Sequence, residues 1–281
     1  MFRSIASLAS LALLAPAALL APPPAAAETY QTCAGFIDSV PAVISTQGVW
    51  CFRKDLSTEM ASGNAITINT NNVTIDCNHF KLGGLAAGDA TGTTAILASG
   101  RQNTTIRNCN VRGFLVGVSL QGSTAGNRVE DNRFDDNLWM GIAVAGDQNL
   151  VQRNSVFSTG GAQTFNIGIS ADADIIDNTV SDVFTANPVA FVIGIAANGP
   201  GNTVVGNRVR NLASTQPYVA INVASPGMVL ERNRIDAEFD TTGDAVRTTG
   251  MGDATCIGNL SRNYANAFDA CSVVSGNIAL P

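Results

Sequence analysis

The sequence predicts an all-β solenoid, in which short strands stack coil upon coil along one axis. Two short phrases that recur along the chain predict this fold. The first sets an asparagine between two apolar residues, as in Val129-Glu-Asp-Asn132-Arg-Phe134, and returns at 151–156, 175–180, 204–209 and 230–235. The second sets a small residue before alternating apolar residues, as in Gly141-Ile142-Ala-Val144. Its first apolar residue recurs every 22 to 30 positions from Ile66 to, less clearly, Phe268. A period in the twenties is typical of a solenoid.

Alternation within each phrase indicates strands, because every second side chain of a strand lies on the same face. Stacking the coils ~4.8 Å apart pairs each strand in parallel with its copy, and about nine coils make a rod on the order of 40 Å long. The asparagine lies where the chain bends, and its amide can bond to the asparagines above and below. We therefore interpret it as structural. Earlier copies lie at 75–80 and at 106–111, where Cys109 replaces the asparagine.

The first 27 residues have the features of a secretory signal peptide. One positive charge at Arg3 precedes an apolar stretch at 5–20, and small residues precede the expected cleavage after Ala27. We therefore expect a secreted protein, extracellular or periplasmic, with no transmembrane segment in its mature chain. Residues 28–58 are predicted to form an N-terminal cap, since a solenoid end otherwise exposes its core and strand edges. The repeats occupy residues 59–281.

Six cysteines are an even number in a chain expected to be exported, which predicts disulfides. Sequence alone leaves their connectivity open. We favour Cys33–Cys51, Cys77–Cys109 and Cys256–Cys271. Zinc binding is disfavoured, because the chain has no Cys-x-x-Cys motif and its one histidine is His79.

Both phrases and their period resemble the right-handed parallel β-helix proteins of the pectate-lyase-like superfamily, over roughly residues 60–280. The segment 33–76 is also similar to the start of many secreted bacterial β-helix proteins of unassigned role, through Pro41-x-x-Ile44, Gly48-x-Trp50-Cys51 and Asn72-Val-Thr-Ile-Asp76. The resemblance implies a single-stranded right-handed parallel β-helix. The Gly-His-Gly and Arg-x-Lys of polygalacturonases and the Asp-Pro-His-Glu of alginate epimerases are absent.

We call the second phrase, in which a small residue precedes alternating apolar residues, the Gly-Ile phrase. The insertions between the asparagine and the next Gly-Ile phrase fall at one corner of the coil. Three of them, at 159–165, 184–191 and 214–218, lie on consecutive coils. Loops on a rigid scaffold often carry function, so they are candidates for the walls of a groove. The alternative is that they cover an apolar sheet face. Function is sought first between Asn154 and Ile221.

Five residues are candidate ligand contacts. Trp139 and Tyr218 would offer platforms for sugar rings, although buried packing is the alternative. Arg208 and Arg234 occupy the same outward position on neighbouring coils, which suits an anionic ligand such as a uronate or, equally, a solvated surface. Asp136, beside Asp135, is a candidate for general acid–base catalysis.

A calcium site is a further possibility that the sequence raises. Asp147, Asp172 and Asp174 fall in bends of adjacent coils, and oxygen ligands that converge suit Ca²⁺. The strict calcium-loop motif D-x-[DN]-x-[DN]-G is absent.

Charge and motifs together leave two functions open. The formal net charge of −6 disfavours nucleic acid as a partner. The favoured hypothesis is a secreted β-helix that binds polysaccharide or a cell-surface glycan without catalysis. The alternative is a polysaccharide lyase, or a related enzyme, that acts on an acidic, uronate-containing glycan. A lyase of this superfamily needs a base and cations that neutralise the carboxylate, and Arg208, Arg234 or Arg133 could serve as the base.

Overall fold

The computed structural model describes residues 32–122, 125–161, 165–185, 187, 190–214, 216, 218–249, 254–268 and 271–281, with backbone alone at 240 and 241. The predicted signal peptide lies outside these residues. Within them the chain forms an all-β solenoid whose strands pair in parallel from coil to coil, as predicted. None of the described residues belongs to a helix long and apolar enough to span a membrane.

Three stacks of strands form the three sides of the coil. Face A, before the asparagine bend, consists of Gly35–Phe36, Gly48–Cys51, Val73–Asp76, Thr104–Arg107, Arg128–Glu130, Leu150–Gln152, Asp174–Ile176, Thr203–Val205, Met228–Glu231, Ala254–Ile257 and Cys271–Ser275. Face B, after that bend, consists of Leu56–Ser57, Lys81–Gly83, Asn110–Arg112, Arg133–Asp135, Ser155–Phe157, Thr179–Ser181, Arg208–Arg210, the first parts of Arg234–Thr248 and Leu260–Asn266, and Ile278–Leu280.

Face C contains the Gly-Ile phrases and closes the coil. It consists of Ala42–Ile44, Ser62–Ile68, Gly92–Ser99, Val116–Gln121, Met140–Val144, Phe165–Asp172, Phe191–Asn198, Val219–Val223 and the later parts of Arg234–Thr248 and Leu260–Asn266. Between faces B and C lie a 3-10 helical turn at Leu85–Ala87 and a parallel pair formed by Gly160–Gly161 with Phe184–Thr185.

The core is a column of apolar side chains contributed by all three faces. Residues at equivalent positions pair in register, as Val129 does with Val151 on face A and Phe134 with Val156 on face B. The fully buried set includes Val129, Phe134, Ile142, Val151, Val156, Ile169, Ile175, Val180, Ile195, Val204, Val209 and Ile221. The apolar positions of both sequence phrases therefore face inward, and their burial drives the stacking.

The small residue of the Gly-Ile phrase has a steric reason. A Cβ added to Gly168 would lie 2.5 Å from Val180 Cγ1 on face B and 2.7 Å from the carbonyl oxygen of Gly194. On the preceding coil, a Cβ at Gly141 would lie 2.5 Å from Val156 Cγ1. Faces B and C thus approach so closely that these coils leave no space for a side chain at this position.

The asparagines form a continuous hydrogen-bonded ladder at the bend between faces A and B, which we call the asparagine corner. Asn154 Nδ2 donates to Asn178 Oδ1 at 3.0 Å, and Asn178 Nδ2 donates to Asn207 Oδ1 at 3.0 Å. From Asn154 onward each Oδ1 also accepts from the backbone N–H of the preceding asparagine, as Asn178 Oδ1 does from Asn154 at 2.9 Å. The ladder consists of Asn132, Asn154, Asn178, Asn207, Asn233, Asn259 and Asn277.

One early copy of the asparagine phrase does not have the predicted role. Asn78 donates its amide to the carbonyl oxygen of Phe52 at 2.9 Å and is not bonded to the ladder. The inward residue that follows it is Leu82, which pairs with Val111, and not Phe80. Two extra residues in this bend shift the strand Lys81–Gly83 relative to the later coils.

All three disulfides have the predicted connectivity: Cys33–Cys51, Cys77–Cys109 and Cys256–Cys271. Disulfides persist in oxidising compartments, so these bonds are consistent with an exported protein. From residue 32 onward, the segment predicted as a cap contributes four short strands that pair with the following coil. A separate capping unit therefore remains a prediction.

Candidate functional site

The bend between faces B and C, which we call the loop corner, starts alike on successive coils and then diverges. Asp136, Ser158, Asp182 and Asn211 each follow a face B strand and have φ values of 53°, 50°, 56° and 53°. Aspartate and asparagine tolerate this left-handed conformation better than most residues. Beyond these positions the connections differ in length and sequence, and two pockets open between them.

The pocket nearer the N-terminus, which we call the N-side pocket, has a volume of about 320 Å³. Asp89 and Asp136 line it together with Ser158 and the aromatic ring of Phe184. The two carboxylates come from different coils, because Asp89 precedes the face C strand Gly92–Ser99. The described lining residues thus combine acidic, hydroxyl and apolar groups and include no basic side chain.

The C-side pocket, of about 470 Å³, lies farther along the same corner. Tyr218 and Phe239 supply aromatic rings, and Phe239 is 74% exposed. The polar lining residues are Asp182, Asn211, Ser214 and Glu238. A backbone bridge between Phe184 and Ala213 joins the walls of the two pockets, so that they adjoin along the rod axis.

A charged cluster on face B supports the N-side pocket. Arg112 lies between two carboxylates: its guanidinium bonds to Asp136, and its Nε lies 3.3 Å from Asp135 Oδ2. Burial raises the pKa of the Asp135 carboxyl, against the opposing effect of Arg112 and Arg133. The hydrogen bond that the Arg112 guanidinium donates to Asp136 raises the pKa of Arg112. Arg112 therefore fixes the position of Asp136 at the rim of the pocket.

The five predicted contact residues do not share one groove. Asp136 lines the N-side pocket and Tyr218 the C-side pocket, whereas Trp139, Arg208 and Arg234 line neither. Trp139 is half-buried and packs edge-on against Phe165, with ring centroids 5.8 Å apart.

Arg208 and Arg234 lie in register on face B. Arg234 Nε donates to Asp236 Oδ2 at 2.7 Å. The roles of the five residues as ligand contacts stay predictions.

Sequence reasoning missed several pocket residues, among them Asp89, Asp182, Glu238 and Phe239. Asp182 could have been found, because it holds the same position in its coil as Asp136. Glu238 and Phe239 lie within the long strand Arg234–Thr248. No sequence phrase marks the point where that strand turns the corner.

The three aspartates predicted as calcium ligands line one pocket of about 550 Å³ at the bend between faces C and A. Asp172 Oδ1 accepts a hydrogen bond from Asn202 Nδ2 at 3.1 Å. Asp174 Oδ1 accepts from the backbone N–H and hydroxyl of Thr203, at 2.9 and 2.8 Å. Within the described part of the chain, no three His, Cys, Asp or Glu side chains are placed to hold a metal ion. The calcium site, which includes Asp147, stays a prediction.

The family assignment follows from the repeats and the fold. A family model described as the right-handed beta helix region matches residues 43–180 and 94–261, which together cover most of the chain. The chain belongs to the right-handed β-helix family. No curated protein sequence matches this β-helix protein.

Several solved β-helix structures are similar to this chain. DFA-IIIase from Arthrobacter chlorophenolicus A6, in complex with DFA-III, is 12% identical with a TM-score of 0.48, over 82% of this chain and 59% of that one. The A-module of mannuronan C-5 epimerase AlgE4 from Azotobacter vinelandii is 10% identical with a TM-score of 0.49, over 88% and 87%. The catalytic domain of a GH87 α-1,3-glucanase in complex with nigerose is 13% identical with a TM-score of 0.37, over 92% and 70%. The β-helix protein therefore spans less than two thirds of the DFA-IIIase chain.

Proposed function

We propose that this β-helix protein is exported and binds a neutral glycan along the loop corner without cleaving it. The observation that carries the proposal is the composition of the C-side pocket. An exposed Phe239 and a half-buried Tyr218 stand beside four hydrogen-bonding side chains. A sugar ring has an apolar C–H face that packs on an aromatic ring and a hydroxyl edge that bonds to carboxylates and amides.

The charge of the corner favours a neutral sugar over a uronate. Asp89 and Asp136 line one pocket and Asp182 and Glu238 the other, with no basic side chain among the described lining residues. Arg112 balances the charge of Asp136, so repulsion of a uronate carboxylate is expected mainly at the C-side pocket, in a chain whose net charge is already −6. Sugar hydroxyls, in contrast, donate readily to carboxylate oxygens.

The environment of the carboxylates favours binding over catalysis. A general acid for glycoside cleavage must stay protonated near neutral pH, which burial in apolar surroundings can achieve. Burial raises the pKa of Asp135, yet this residue contacts Arg112 and Arg133 and lines neither corner pocket. A lyase needs a base at the substrate, and two of the candidate arginines, Arg133 and Arg234, are paired with carboxylates and line neither corner pocket.

Titration calorimetry with neutral gluco-, manno- and xylo-oligosaccharides, and with pectin and alginate fragments, tests the proposal. We expect saturable binding of a neutral oligosaccharide. Phe239→Ala should weaken it about tenfold, the effect of losing roughly 1.5 kcal/mol of apolar contact. Phe191→Ala is the matched control, because Phe191 is also exposed but lies on face C. Binding of uronates alone, or equal losses in the two variants, would contradict the proposal.

A second candidate, glycoside hydrolysis, rests on one observation: Asp89 and Asp136 line the same pocket. Paired carboxylates across a sugar are the usual requirement of such enzymes. Release of reducing ends from a neutral glycan, lost in Asp136→Asn and retained in Asp182→Asn, would favour this candidate over simple binding. Neutral glycans that bind and stay intact would exclude it.

A further inference from the structure

Face C carries an apolar pocket of about 310 Å³, separate from the two corner pockets. Its floor is a row of three aliphatic side chains, Ile167, Ile193 and Val219, which lie in register on neighbouring strands. Phe165 and Phe191, also in register, rise beside this floor and are 40% and 50% exposed. Two exposed phenylalanines above an apolar floor form a surface that an apolar ligand would cover favourably.

One end of this pocket is polar and consists mainly of hydrogen-bond donors. Asn222 and Arg247 are register partners, and Asn222 Nδ2 donates to Thr249 Oγ1 at 3.2 Å. The hydroxyl hydrogen of Thr249 is then left to donate to a ligand. Arg247 is exposed and makes no ion pair with the described residues. No carboxylate is among the described residues that line the pocket.

We propose that the face C pocket binds a small amphipathic carboxylate, with its apolar body over the phenylalanines and its carboxylate at Arg247. A guanidinium binds a carboxylate through two parallel hydrogen bonds, which gives both charge complementarity and orientation. From Val219 to Asn222 the strand advances three residues, or ~10 Å. This distance separates the apolar floor from the charged end and suits a body of several carbons. A short fatty acid and an aromatic acid share this chemistry.

Titration calorimetry with octanoate, 4-phenylbutyrate and the uncharged 1-octanol tests the proposal on the intact protein. The fluorescence of Trp139 provides a second measure of binding, since its ring contacts Phe165 in the wall of the pocket. We expect saturable binding of at least one of the two acids. Tighter binding of octanoate would indicate an alkyl chain as the natural ligand, and tighter binding of 4-phenylbutyrate an aromatic acid.

Four variants, two of them controls, separate charge recognition from apolar contact. Arg247→Gln should weaken binding of the acids by about tenfold or more, as expected for a hydrogen bond to a charged group, and should leave 1-octanol binding unchanged. Phe191→Ala should weaken binding of all three ligands. Arg262→Gln, an exposed arginine on face B, and Phe239→Ala, at the loop corner, should alter none. Absence of saturable acid binding, or equal binding by wild type and Arg247→Gln, would overturn the proposal.

Discussion

The asparagine corner and the loop corner lie at opposite ends of the same face B strands, yet they differ in almost every respect. At the asparagine corner the coils from Asn132 onward repeat the same amide contact, with Nδ2 to Oδ1 distances of 3.0 Å from Asn132 to Asn154 and 2.9 Å from Asn233 to Asn259. At the loop corner Asp136, Ser158 and Asp182 begin the bend alike, and the connections then diverge. A repeated contact stabilises the rod, and the freedom to vary is confined to the other corner.

The physical reason lies in what each bend contacts. An asparagine in the ladder is buried and bonded both to its neighbours and to backbone carbonyls, as Asn178 is to Val151 at 2.9 Å. A change in one coil would therefore leave polar groups unsatisfied in two others. Side chains at the loop corner, such as Phe239 and Glu238, face solvent and bind no equivalent residue in the next coil.

The largest effect is expected from Asn178→Ala, in the middle of the ladder. Truncation removes bonds to Asn154, Asn207 and Val151 and leaves buried partners unsatisfied, at a cost of about 3–5 kcal/mol in unfolding free energy. Urea unfolding measures this loss of unfolding free energy. Asn266→Ala, which removes an exposed bond to Asp244, is the control and should cost less than about 0.5 kcal/mol. Equal losses of unfolding free energy in Asn178→Ala and Asn266→Ala would show that the ladder does not stabilise the rod.

A smaller effect is expected where faces B and C approach each other. Gly168→Ala would set a methyl group against Val180 and the carbonyl of Gly194, at a cost of about 1–3 kcal/mol from overpacking. In the control, Gly92→Ala, the added carbon lies 3.6 Å from its nearest neighbour, and stability should be unchanged or slightly higher. Thermal unfolding of both variants decides whether the small residue of the phrase is required by space.

The ion pair on the outside of the asparagine corner is expected to contribute still less to the unfolding free energy. Arg153 Nε and Nη2 donate to Asp131 at 2.8 and 2.7 Å, and this contact lowers the pKa of Asp131. Because the folded pKa is lowered, the stabilisation is present above the unfolded pKa of about 3.9 and is lost as the pH falls through the folded value. Solvent screening limits it to about 0.5–1 kcal/mol.

Asp131→Asn should therefore destabilise the protein at pH 7 and have little effect near pH 2, with Asp177→Asn, the same position two coils further, as the control. Chemical denaturation at the two pH values measures both. A loss in Asp131→Asn that persists unchanged at the lower pH would contradict the ion-pair account.

The smallest effect on stability is expected at the loop corner itself. Phe239 is 74% exposed, so Phe239→Ala should change the unfolding free energy by less than about 0.5 kcal/mol. The same variant is expected to weaken glycan binding. A large loss of stability would mean that this side chain serves the fold and not a ligand.

Features that repeat could be predicted from the sequence. Strand positions, inward residues and the asparagine bend recur with one period, so each coil supports the assignment of the next. The favoured pairing of the six cysteines also agrees with the three disulfides of the structure. A second set of bend asparagines was missed, although Asn127 and Asn149 both stand two residues before a face A valine. Asn149 Oδ1 accepts from the backbone N–H of Asn127 at 3.0 Å.

Features that occur once could not be predicted. Residues 75–80 were assigned to the asparagine phrase because they match its pattern. The bend after Asn78 is nevertheless two residues longer than in the later coils. Asp89 and Asp136 are brought into one pocket by loops of different coils, and nothing in their local sequence relates them. A periodic pattern therefore locates the corner where function is expected, but the pocket itself depends on packing between loops.

Hydrogen exchange of the intact protein, with and without the neutral oligosaccharide that binds tightest, tests most directly whether the loop corner is the binding site. The account predicts slower exchange at 182–185, 211–214 and 238–239, beside the C-side pocket, and unchanged exchange in the face A strands Arg128–Glu130 and Leu150–Gln152. Protection on face A, or a bound oligosaccharide that leaves the corner segments unchanged, would contradict it.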